Sequence, residues 1–117
     1  MLLPPDMSPL RVLIVEDDPM MQLGLEQSLM DYPQLEVVES VTDEYLGVQA
    51  GLRLKPDVVV MHIGLPRLYG IEATKQIKLA LPKTHVVMVT SHTTGTEIIA
   101  ALSSGADVYS IKGATRD

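Results

Sequence analysis

The sequence predicts one α/β domain: a five-stranded parallel sheet with helices on both faces. Three observations carry this expectation. Apolar runs of strand length recur five times, at 10–15, 35–41, 58–61, 85–90 and 107–111. Between them lie stretches whose apolar residues return at helical spacing, joined by connections short enough for right-handed crossovers. The chain has 117 residues, 46% of them hydrophobic, which is material for one core and not for two.

Residues 1–9 contain Pro4, Pro5 and Pro9 and show no periodicity, so a disordered tail is expected ahead of a domain over 10–117. Leu10-Arg11-Val12-Leu13-Ile14-Val15 reads as a buried strand that runs straight into Glu16-Asp17-Asp18-Pro19. Three acids at the end of a buried strand are hard to explain as packing. The competing explanation is an acidic first turn favoured by the helix dipole. Pro19 suits the first helical position, and Met21, Leu25, Leu29 and Tyr32 then recur at helical spacing until Pro33. Gly24 and Ser28 fall on the same face, where a helix can approach a sheet closely.

The strand over 35–41 is interrupted by Glu36 and Glu39 and belongs at a sheet edge. A helix over 43–54 follows, with Tyr45, Val48 and Leu52 on one side. Val58 to Met61 is an unbroken apolar run, the pattern of a strand covered on both faces, and His62 stands at its end. Gly64 and Pro66 turn the chain, and Gly70 precedes a helix over 71–81 that Pro82 ends and whose exposed face carries Glu72, Lys75 and Lys78. After the strand 85–90, Thr96 is placed to cap a helix through Leu102 that Gly105 terminates, and 107–111 is the last strand.

Composition removes several functions. No run approaches the roughly 18 apolar residues of a membrane helix, and 1–9 lacks the basic start and apolar core of a signal peptide. There is no cysteine, which fits a reducing cytoplasm. Net charge is −6, so direct binding of nucleic acid by this segment is not expected. In an open parallel sheet ligands bind at the carboxyl ends of the strands, which here gather Glu16, Asp17, His62 and Thr90, with Lys112 beyond the last strand. A dinucleotide or flavin site would need glycines and free backbone donors at the first turn; carboxylates there ask instead for a cation.

Taken together, these residues resemble the receiver domain of bacterial two-component response regulators, the kind often followed by a helix-turn-helix output domain. The likeness runs from about Leu10 to Ala114. Val-Glu-Asp-Asp-Pro at 15–19 resembles the acidic pair that holds magnesium, which gives Glu16 and Asp17 that role, with the carbonyl of Gly64 completing it. The stretch 56–70, Pro-Asp-Val-Val-Val-Met-His-Ile-Gly-Leu-Pro-Arg-Leu-Tyr-Gly, resembles the strand and loop of the phosphoacceptor. Thr90 matches the switch hydroxyl, Tyr109 the switch aromatic and Lys112 the lysine that grips the phosphoryl group. The resemblance implies a flavodoxin-like, doubly wound sheet of order 2-1-3-4-5. It also implies a histidine kinase or phosphotransfer protein and an output domain as partners.

Three departures from the family pattern stand out. His62 occupies the position of the phosphorylated aspartate, and an imidazole cannot form the acyl phosphate, which needs a carboxylate nucleophile in line with the donor. Tyr69 stands where an aspartate commonly precedes the loop's last glycine. The family's fifth helix would begin about where this chain ends, and its absence would uncover apolar surface, leading to marginal stability or self-association as a homodimer. The expectation is a signalling module, not an enzyme, that escapes normal aspartyl phosphorylation. With an imidazolium at 62 beside Glu16, Asp17 and Lys112 the crevice carries no net charge, so magnesium binding is weakened or lost. The imidazolium, favoured by the carboxylates beside it, then holds Thr90 and Tyr109 in one fixed arrangement. Two alternatives use the same crevice: a metal-dependent phosphatase or hydrolase, and a zinc-type site in which His62 and His92 join Glu16 or Asp17.

Overall fold

Residues 8–62, 67–90 and 108–111 are described in a computed structural model, where the order along the chain is β1 (Leu10–Val15), α1 (Pro19–Met30), β2 (Leu35–Val41), α2 (Glu44–Leu54), β3 (Val58–His62), α3 (Arg67–Ala80), β4 (His85–Thr90) and β5 (Val108–Ile111). Residues 1–7 of the tail expected over 1–9, the helix over 96–102 and the end of the chain beyond 111 lie outside the described residues. All strand pairs are parallel, and the sheet order is β2-β1-β3-β4-β5, with β2 at the edge that its two glutamates predict.

The period of two along each strand divides the buried residues between the faces. Leu13 and Val15 of β1, Val59 and Met61 of β3, and Val86 and Met88 of β4 form one layer, closed by Ala50 of α2 and by Ala73 and Ile77 of α3. Val12 and Ile14 are also buried and alternate to the opposite face of the sheet. At the edge, Val12 pairs with Val37 but Leu13 with Glu39, so Val38 is an extra residue of the kind that bends an edge strand.

Local chemistry sets the element ends. Asp43 accepts the Leu46 N–H at 2.8 Å and caps α2, while Lys55 closes that helix in the left-handed region at φ 49°. Arg11 donates through Nη1 to the carbonyls of Leu54 and Lys55 at 2.7 and 3.2 Å, tying the end of α2 to β1. Thr84 Oγ1 donates to the Pro56 carbonyl at 2.7 Å and joins the entries of β3 and β4.

Four expectations need correction. The helix expected over 71–81 begins at Arg67, because Gly70 lies inside α3 and its carbonyl accepts Thr74 Oγ1 at 2.9 Å. Lys78, expected on an exposed face, is half-buried and donates to the carbonyls of Pro82 and Thr84 at 3.2 and 2.8 Å. On α2 the buried residues are Gly47, Ala50 and Gly51, whereas Tyr45 and Leu52 are exposed. Small size wins over apolar area there: a Cβ at Gly47 would lie 2.8 Å from Val15 Cγ2, so only glycine admits this approach of helix to sheet. Gly24 makes no such approach; it is exposed, with nothing within 4 Å of where its Cβ would be, and α1 buries none of its residues.

Candidate functional site

The register of the sheet aligns the strand ends. Val15 pairs with Met61, Met61 with Met88 and Met88 with Tyr109. One residue further, Glu16 follows Val15, and His62 pairs with Val89 and Val89 with Ser110. One more step brings Asp17, and Thr90 paired with Ile111. The backbone therefore brings the positions of Glu16, Asp17, His62 and Thr90 to one edge of the sheet, and Lys112 follows directly in sequence. Tyr109 sits within β5, opposite Met88. Gly64, Lys112 and His92 lie outside the described residues.

The three acids after β1 have separate tasks. Asp18 is the N-cap of α1 and its Oδ1 accepts the Met20 N–H at 2.9 Å, so this one of the three serves the helix start from outside the first turn, which itself holds no acid. Asp17 is exposed at the tip of the turn. Glu16 is only 1% exposed, the condition in which a carboxylate needs partners or a cation. Its Oε2 accepts the Asp18 N–H at 3.3 Å, and its own N–H donates to the Val41 carbonyl at 3.0 Å.

Gln22 is the residue that sequence reasoning missed. Its Nε2 donates to the carbonyls of Glu16 at 3.2 Å and Val41 at 3.0 Å, clamping the acidic turn to the ends of β1 and β2 from the first turns of α1. The available signal was a lone amide in the otherwise apolar run Met20-Met21-Gln22-Leu23.

The family model described as the response regulator receiver domain matches residues 12–117. The chain belongs to this family. It is 35% identical over 104 residues to the response regulator protein VraR of Staphylococcus saprophyticus, an alignment that covers 89% of this chain and 50% of that protein. The chain spans about half the length of the curated relatives it matches. Among solved structures it resembles the response regulator domain of Thermotoga maritima CheB, with a TM-score of 0.82 and 37% identity over 91% of this chain and 80% of that one. It also resembles a LuxR-family two-component response regulator from Aurantimonas, with a TM-score of 0.84 and 28% identity over 92% and 76% of the two chains. The phosphatase or hydrolase alternative draws no support from these regulators.

Receiver domains hold magnesium among acids at this edge of the sheet, and the donors here meet that requirement in part. Glu16 and Asp17 supply hard oxygen ligands of the kind magnesium takes. Asp18 is committed to its cap, and the residue ending β3, His62, is not a carboxylate. Among the described residues no three His, Cys, Asp or Glu side chains are grouped to hold a metal ion; His92 lies outside them, and nothing supports the zinc-type site expected from His62 and His92. Also among the described residues, no helix is long and apolar enough to cross a membrane.

Proposed function

We propose that this receiver domain serves as a signalling module whose output does not depend on aspartyl phosphorylation. The observation that carries the reading is the identity of the residue ending β3: His62, one strand over from the acidic turn and level with Glu16 in the register. A carboxylate at that place attacks the phosphodonor and adds a negative charge that a divalent cation balances. A neutral imidazole removes that charge and an imidazolium reverses it, so the site loses both its nucleophile and much of its demand for magnesium. Glu16, Asp17 and Gly64 keep the magnesium-holding positions of the family pattern, and Thr90, Tyr109 and Lys112 keep the switch and gripping positions. What remains is a surface of fixed form for a histidine kinase, a phosphotransfer protein or an attached output domain, working in the cytoplasm by contact and not by turnover.

The test compares the chain with His62→Asp, each treated with acetyl phosphate and magnesium for intact mass and with beryllofluoride for amide NMR. The unmodified chain should gain no phosphoryl group and show little response around Glu16 and Asp17. His62→Asp should gain one phosphoryl group and respond clearly. A phosphorylated aspartate in the unmodified chain, or a silent His62→Asp, overturns the reading.

A further inference from the structure

α2 and α3 form a cleft of about 480 Å³, a volume typical of ligand pockets, and neither Glu16 nor Asp17 lines it. Its origin is in the packing. The helices meet where Gly51 faces Ile77, with only 3.6 Å between the ideal Cβ position of Gly51 and Ile77 Cγ1, and the cleft opens within the two turns N-terminal to that contact. Val48 and Ala73 give it an apolar floor, and the ring of Tyr45 forms one wall. That ring is 70% exposed, and its Oη accepts a hydrogen bond from Gln49 Nε2 at 2.8 Å. Among the described residues, every charged side chain lining the cleft is acidic: Asp43, Glu44 and Glu72.

The chemistry narrows the occupant. Nucleic acid and free anions are repelled, and a second copy of this chain would bring its own net charge of −6. A single metal ion is a poor fit, since no metal-holding group of carboxylates occurs among the described residues and Asp43 Oδ1 already accepts the Leu46 N–H. Carboxylates spread along the rim of an apolar floor instead match several cations carried on one segment around an apolar anchor. We propose that the cleft between α2 and α3 docks a segment of a partner protein in which an apolar side chain is flanked by lysine or arginine. Neither Glu16 nor Asp17 lines the cleft, and the proposal stands whatever becomes of His62.

The probe is a fluorescein-labelled peptide with two leucines flanked by lysines, titrated by anisotropy against the whole chain, with the bound face mapped by amide NMR. The controls keep net charge equal: Glu72→Lys reverses a charge on the rim, and Glu36→Lys reverses one on the exposed edge strand. Shifts should concentrate on residues 43–49 and 72–76. Glu72→Lys should weaken binding about tenfold, as expected for losing a close charge pair, and Glu36→Lys far less. Tyr45→Ala should weaken it without changing its salt dependence. Equal losses for the two charge reversals, shifts centred elsewhere, or no binding to the unmodified chain each overturn the proposal.

Discussion

Gly47 and Gly24 both sit inside helices, and on helix propensity alone each costs about 1 kcal/mol relative to alanine. Their surroundings make the outcomes opposite. At Gly47 an added Cβ would stand 2.8 and 3.1 Å from the two Cγ atoms of Val15, a β-branched side chain buried in the sheet and unable to swing aside. Overpacking of this kind costs about 1–3 kcal/mol and outweighs the gain in propensity, so Gly47→Ala should lower stability by about 1–2 kcal/mol. Gly24 meets nothing within 4 Å, and Gly24→Ala should raise stability by about 0.5–1 kcal/mol. Urea unfolding of both variants decides the matter, and equal signs would refute it. The sequence revealed that both glycines lie in helices but assigned the close approach to the wrong one. The small residues of α2 face the sheet, and that depends on how the helix is rolled, which Val48 suggested correctly and Tyr45 and Leu52 did not.

At the scale of elements, α2 ends on Lys55 in the left-handed region, where a residue with a Cβ is strained by about 1–2 kcal/mol. The bonds that hold this end use backbone atoms: the Lys55 N–H donates to the Gly51 carbonyl at 2.9 Å, and the Lys55 carbonyl accepts Arg11 Nη1. Lys55→Gly keeps both. After the entropy that glycine adds to the unfolded chain, it should stabilise by about 0.5–1 kcal/mol; a loss of thermal stability would show that the lysine side chain contributes more than its strained backbone costs. Most elements were legible because their signals are local: Pro19 and Asp43 start helices, Pro82 stops one, and unbroken valine runs mark covered strands. The start of α3 was not, since Gly70 looks like a turn residue until its carbonyl is seen to accept Thr74 Oγ1 within the helix. The acidic run was legible as the end of a covered strand, but not its division into a buried acid at Glu16, an exposed one at Asp17 and a cap at Asp18. The Gln22 clamp joins two elements and leaves no spacing to read.

For the molecule as a whole, charge and apolar exposure oppose one another. Met20, Leu23 and Met30 recur on one stripe of α1, and all are exposed, Met20 by 82% and Met30 by 76%. Full burial of such side chains is worth about 1.5–3 kcal/mol each, while bringing two molecules together costs about 4–15 kcal/mol in lost freedom. The two ranges overlap, so any association through this face rests on a small difference between them. A net charge of −6 on each copy works against even that when the Debye length is about 30 Å, at 0.01 M salt, and hardly at all when it is about 3 Å, at 1 M. The chain should therefore sediment as a monomer at low salt and self-associate reversibly at high salt and high concentration. Leu23→Gln with Met30→Gln leaves the charge unchanged and should abolish the association with little loss of stability, because neither side chain is buried. Sedimentation equilibrium at both salt concentrations checks this: a monomer under all conditions would mean that the stripe is not adhesive, and association unchanged in the double variant would move the contact to another face.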